Sequence, residues 1–220
     1  MDTDIRPKGE TAMASDDTRV APTAISTDGR SARRDRGRIA ALDAAIELFE
    51  EEQFEPTLEQ IAQRAGLSTR SVYRYFDDRD ELVRAVIGHK QMQVAPLFQI
   101  EELGQGDLEL RLVRFVGSRL RLHDAIQATA RAMIIRSSSD PVIGELVDFR
   151  RSLLRGQVES QFDAELSLMQ ELDRRSSLLA IDSLTQFETL DRYRIDLALS
   201  IDETQQLLIP AIRSLLGSSR

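Results

Sequence analysis

The chain has 220 residues, 41% of them hydrophobic, and a formal net charge of −8. That hydrophobic share supports a buried core and excludes wholesale disorder, while the lack of cysteine excludes disulfides, thiol catalysis and thiolate metal sites. No run approaches the roughly eighteen apolar residues of a membrane span, and residues 1–30 hold no apolar signal-peptide core, so a cytoplasmic protein with no membrane partner is expected.

The acidic total is spread unevenly, with −3 over residues 1–29, −1 over 30–90 and −4 over 91–220. Five of the eleven basic residues in the middle segment fall within Arg30–Arg38. Binding to phosphates depends on where cations stand rather than on their sum. Total charge therefore argues neither for nor against a nucleic-acid partner.

In chain order, residues 1–29 are rich in Asp, Thr, Ala and Pro without an apolar period, and are expected to be a disordered tail. Ile39, Leu42, Ile46 and Phe49 then recur at helical spacing, with Asp43, Glu47 and Glu50 among the exposed positions, in a helix ending near Gln53. Thr57 followed by Gln60 is a capping-box pattern that opens a short second helix. Gly66 ends that helix and Ser68 caps the next. Asp78 and Glu81 open a helix running towards Pro96. Gly104–Gly106 forms a turn, Asp107 caps the following helix, and His123–Asp124 marks a candidate break. At Asp140–Pro141 a capping carboxylate precedes a proline at the first helical position. The long helix after it has Gly144 and Gly156 as weak points. A helical stretch covers residues 167–192, and Ser200 with Glu203 caps a last helix ending at Gly217. With no strand pattern of useful length and no internal repeat, the fold class is all-α.

The stretch from Thr57 to Phe76 reads as two short helices joined by a tight turn, the length of a helix-turn-helix. Ala62 is small where the second helix crosses close above the first. Gly66 can take the left-handed backbone the turn needs, at no Cβ cost. Ile61, Leu67 and Val72 are apolar where these helices share a core with the first. At 100° per residue Val72 and Phe76 point inward, so Arg70 and Arg74 point outward with Thr69, Ser71 and Tyr73 beside them. Arginine forks suit guanine edges or phosphates, and hydroxyls suit backbone oxygens. The plain alternative is a packed helical hairpin with a solvated arginine face.

Residues 38–90 resemble the DNA-binding domain of the tetracycline-repressor (TetR) family of bacterial regulators. The resemblance is carried by Arg38 to Phe49, Thr57 to Ala62, Ala65 to Ser68, Ser71 to Phe76 and Arg79 to Leu82, about a quarter of the chain. There are departures: Glu52-Gln53-Phe54 stand where the family usually has a glycine, Arg79 where it has lysine, and Tyr75 where histidine is commoner. The resemblance implies a helix-turn-helix DNA-binding domain over 30–80 whose fourth helix links to residue 95. A larger helical ligand-binding and dimerisation domain over 96–220 would follow. It implies that Thr57 contacts phosphate, that Ser68, Thr69, Arg70, Ser71, Tyr73 and Arg74 line the recognition helix, and that Tyr75 and Arg79 touch the DNA backbone. The Arg30–Arg38 cluster either reaches phosphates or a minor groove, or is a solvated helix start.

In the second domain the resemblance implies a small-molecule ligand and a two-fold pairing through the last two helical stretches. Apolar stripes run through Leu168, Leu172, Leu179, Leu184, Phe187 and Leu190, and through Leu208, Ile212 and Leu215. Leu179, Leu184, Phe187, Leu208, Ile212 and Leu215 are the candidate interface, although such stripes can also simply complete one subunit's core. Phe98, Phe115, Met133 and Phe149 are candidate pocket residues, with Arg119, Arg131 or Arg136 as counter-ions for an acidic ligand. His89 and His123 are isolated and suggest neither a metal nor any cofactor.

The expected function is thus a DNA-binding regulator, most simply a repressor dimer on a palindromic operator, released by a small molecule. The partners expected are double-stranded DNA, a second copy of the chain and that molecule. An enzyme is disfavoured because no nucleophile–base pair, phosphate-binding glycine loop or metal cluster is legible. An all-α protein-interaction module would leave the arginine and hydroxyl face of residues 69–74 unexplained.

Overall fold

A computed structural model describes residues 26–51, 53 and 55–217; most of the expected tail, residues 1–25, lies outside them. Among the described residues every regular element is helical: α1 (Ser26–Glu50), α2 (Leu58–Arg64), α3 (Thr69–Tyr75), α4 (Arg79–Val94) with a 3-10 turn at Ala95–Phe98, and α5 (Leu108–Arg136). These are followed by α6 (Pro141–Gln161), α7 (Asp163–Leu166), α8 (Glu171–Thr185), α9 (Phe187–Asp191) with a π turn at Arg192–Asp196, and α10 (Ile201–Gly217).

Local chemistry sets most of the boundaries. The side chains of Thr57, Ser68, Asp78, Asp107 and Asp140 each accept a backbone N–H at the start of a helix, satisfying donors that the first turn leaves free. Gly66, Gly104 and Gly106 carry positive φ where the chain turns.

The structure departs from the sequence expectations in four places. First, α1 begins at Ser26 and ends at Glu50, and Ile39, expected on its apolar face, is 47% exposed. Second, His123–Asp124 is no break: α5 runs unbroken through it, 29 residues from Leu108 to Arg136, or roughly 44 Å. The His123 ring is buried, stacked on Phe187 at 5.1 Å, with Nε2 3.2 Å from Asp191, so tertiary contacts hold it inside the helix. Third, α6 passes continuously through Gly144 and Gly156. Fourth, the stretch 167–192 is divided, because Gln170 and Gln186 adopt extended backbone and turn the chain at both ends of α8.

The core lies along α5, which packs against α4, α6, α9 and α10. One apolar cluster joins α1–α4 to Ala128, Ala132 and Met133 of α5 and to Ile143 and Val147 of α6. A second gathers Leu112, Phe115 and Leu120 of α5 around Phe162, Ile181 and the Leu208, Ile212, Leu216 stripe of α10. A third, between them, holds Val94, Leu122, Ile126, Leu154 and Phe187. Each buried Leu, Ile or Phe stabilises by about 2 kcal/mol relative to exposure. Two ion pairs reinforce the junction of the first four helices with the rest: Arg84 to Asp140 at 3.2 Å and Arg136 to Asp80 at 2.6 Å. Asp140 also caps α6, so one carboxylate serves both elements.

Candidate nucleic-acid interface

The helix-turn-helix is held in register from within. Thr57 N–H donates to Gln60 Oε1 at 2.7 Å while Gln60 N–H donates to Thr57 Oγ1 at 3.2 Å, closing the capping box of α2. Gly66 turns the chain at φ 65°, and Leu67 N–H then donates to Ala62 O at 2.9 Å. Ser68 accepts Ser71 N–H at 3.2 Å to start α3. Ile61, Ala62 and Val72 are buried where the helices cross, and Phe76, just past the end of α3 in extended backbone, is buried as well.

This packing turns the other face of α3 outward. Arg70, Tyr73 and Arg74 are exposed, with Thr69 and Ser71 half-buried beside them. Arg70 makes no hydrogen bond or ion pair among the described residues, and Arg74 is met only by the Tyr75 ring, 5.5 Å from its guanidinium carbon. Other nearby arginines are already engaged. Arg64 bonds Glu51 at 2.7 Å, and Arg79 lies 3.5 Å from Glu55. Arg38 lies over the Phe76 ring at 5.2 Å. Arg33, Arg34 and Arg36 of the basic cluster are exposed.

Two contacts had no clear sequence signal. The Tyr73 hydroxyl donates to Glu59 Oε1 at 3.0 Å, clasping α3 to α2. Glu59's own backbone N–H, then Tyr73 and Thr57, hold its carboxyl below the usual range, and the same clasp raises the Tyr73 phenol. A Cβ on Gly37 would run into the Tyr75 hydroxyl, so a larger residue there would push the half-buried Tyr75 side chain aside. A glycine inside an otherwise good helix was the available hint.

Residues 41–86 match the family of bacterial regulatory proteins described as tetR. Over this stretch the chain is similar to the DNA-binding part of tetR regulators. Proteins named HTH-type transcriptional regulator BetI from two Escherichia coli strains are each 29% identical over 174 residues, 76% of this chain and 89% of theirs. A tetR-family regulator from Streptomyces coelicolor shares the fold, with TM-score 0.59 at 24% identity over 82% of this chain and 80% of that one. A TetR-like regulator from Rhodococcus does so with TM-score 0.57 at 18% identity over 84% and 97%. The protein is a DNA-binding transcriptional regulator, and no helix among its described residues is long and apolar enough to cross a membrane.

The remaining candidate residues of this regulator fall in different surroundings. Phe98 and Met133 line one small cavity together. Phe115 is fully buried, edge-on to Phe162 at 5.2 Å, whereas Phe149 is 68% exposed on the outer side of α6. Of the candidate counter-ions, Arg131 bonds Asp191 at 2.7 Å and Arg136 bonds Asp80. Arg119 is buried and bonds only neutral acceptors, Gln157 Oε1 at 2.5 Å and Leu154 O at 2.7 Å. Among the candidate interface residues, Leu179 is 41% exposed and Leu184 and Leu215 are half-buried. Phe187, Leu208 and Ile212 are enclosed by the chain's own core.

Proposed function

We propose that the regulator binds a palindromic operator as a homodimer, with α3 in the major groove, and that a small molecule releases it, most simply as a repressor in the cytoplasm. The observation that carries this reading is the pair of spare cations, Arg70 and Arg74, exposed on a helix whose register is fixed by two caps and a glycine turn. Unpaired surface guanidiniums opposite a packed face suit a polyanion with edges to read. Thr57, Ser68, Thr69, Ser71 and Tyr73 then supply hydroxyls to the same surface, and Tyr75 and Arg79 reach the DNA backbone. The division of labour follows the chain. Residues 30–80 contact DNA, α4 links onward to residue 95, and residues 96–220 sense and pair.

A partner subunit is best accommodated on the exposed edge of α8 and α10. Leu172 is 76% exposed, Leu179 41% and Leu207 54%, and Ser177 Oγ donates to Leu215 O at 2.9 Å to hold the two helices together. Two recognition helices must be spaced by about 34–36 Å or a multiple to reach successive half-sites, and pairing near the far end of the chain can set that distance. Fluorescence anisotropy with the DNA upstream of the protein's own gene tests the reading. A protected palindrome bound by two subunits is expected. Binding no tighter than to unrelated duplex would refute it.

A further inference from the structure

Two arginines in the middle of the molecule lie buried with no carboxylate bonded to them. Arg150 of α6 is 5% exposed, and its Nε and Nη2 are shielded from solvent with no hydrogen-bond partner. Its guanidinium carbon is 5.7 Å from the Phe187 ring. The carboxylate it feels most, Glu188, is committed to Arg151 at 2.5 Å. Arg119 of α5 is 3% exposed, and its Nε also has no partner. Its nearest influential carboxylate, Asp182, is committed to Arg155 at 2.9 Å. Burial lowers both guanidiniums, Arg119 to about 10, with those two carboxylates opposing. An unpaired buried cation is among the costliest groups a core can hold. An anion bonded in place reverses that penalty.

Space adjoins these groups. A cavity of about 10 Å³ is lined by Arg119, Arg150, Ile126 and Phe187, and one of about 20 Å³ by Arg150, Ile126, Phe98 and Met133. Each is near the size of a single water, and Ile126 and Arg150 form walls of both. A single slot, with guanidinium donors at one end and apolar walls at the other, would open only if the Ile126 side chain moved aside and its neighbours made room. The slot also touches the DNA-binding side, because Ile87 and Val94 of α4 line the second cavity and Met133 belongs to the core shared with α1–α4.

We propose that this slot takes a small organic anion, a monocarboxylate with an apolar tail, whose carboxylate is held by Arg150 with Arg119 in the same wall and whose tail lies against Phe98 and Met133. The proposal rests on the reading that a small molecule releases the operator, and gives that molecule its chemical class. Arg150 is the residue that matters. The other candidate counter-ions, Arg131 and Arg136, already have carboxylates of their own.

The test is calorimetric titration of the full chain, without DNA, with butanoate, hexanoate and octanoate and with the corresponding neutral amides. At least one carboxylate should bind, and its amide should bind about tenfold more weakly or worse. Arg150→Met should cut the carboxylate affinity by about tenfold or more while the free variant melts no lower than the parent, since an apolar side chain of similar volume removes an unpaired buried charge. Arg150→Lys should keep part of the affinity. The proposal is overturned if no carboxylate binds, if amide and carboxylate bind alike, or if Arg150→Met melts lower and still binds normally. The same carboxylate is then added to the operator complex in the anisotropy experiment: binding through Arg150 with operator affinity unchanged would uphold the slot and refute the release reading instead.

Discussion

On α3 the arginines stand in water with no hydrogen-bond or ion-pair partner among the described residues, whereas on α5 and α6 Arg119 and Arg150 lie under protein without a carboxylate bonded. The residue type is the same and the energetic consequence is opposite. An unpaired guanidinium in water keeps its hydration at no cost and stays available to phosphates, whose counterions it displaces. A buried one loses that hydration and has only neutral groups in return. Spare cations on the surface therefore suit an extended polyanion, and spare cations in the core suit one small anion that can follow them in.

If burial decides the meaning of a charge, the largest effect should come from placing a new one inside. Leu208→Glu puts a carboxylate where the wild-type side chain is 1% exposed. It should cost on the order of 4 kcal/mol or more and unfold much of the population at ordinary temperature, read by circular dichroism. Its neighbour Leu207 is 54% exposed, so Leu207→Glu should leave the subunit folded to within about 0.5 kcal/mol yet sediment as a monomer. A Leu207→Glu protein that remains dimeric with full operator affinity would move the pairing surface elsewhere.

The next effect concerns the outward arginines. Arg70→Ala and Arg74→Ala should each lose about 1–3 kcal/mol of operator affinity if the side chain reads a base, with relaxed preference at one base pair. Melting temperature should not change, because neither guanidinium bonds the protein. Wild-type affinity in the double variant would break the comparison at its surface end.

Smaller still, Gly66→Ala should cost about 1 kcal/mol in a thermal melt. Nothing lies within 4 Å of the added Cβ, so the cost is the backbone at φ 65° alone.

The smallest expected effect is a pH response without measurable loss of fold. Glu59 is a carboxylate lowered in the folded protein, so its clasp on Tyr73 is present at and above the ordinary carboxylate range. The clasp is lost as pH falls through the lowered value. Tyr73 ring resonances should move in that acid window and stay still in Glu59→Gln; movement in both proteins would exclude Glu59 as the cause.

The DNA-binding motif was legible because its determinants are local. Thr57 with Gln60, Gly66 and Ser68 act on backbone groups within four residues of themselves, and each took the cap or turn its chemistry suggests. Other features depend on distant neighbours. Nothing near His123 tells that Phe187 and Asp191 will hold it inside a helix. Nothing near Ile39 tells that it faces outward at 47% exposure. Helical period put Leu208 on the apolar stripe and Leu207 off it, but only the packing of α10 on α5 and α8 shows that Leu208 and Ile212 are enclosed in the subunit's own core rather than left for a partner.

Sequence alone determined an all-helical chain, the capped starts of α2, α3, α4, α5 and α6, and an outward face of Arg70 and Arg74 on α3. Period and capping are properties of a few consecutive residues, and they survive whatever the rest of the chain does. Tertiary structure alone decided which charges went unanswered. Arg119, Arg131, Arg136 and Arg150 are equivalent as letters, and two of them meet carboxylates from α9 and α4 while two meet none. Whether a cation is paired depends on which helix crosses above it, and that is set by the packing of long-range neighbours rather than by anything written beside it.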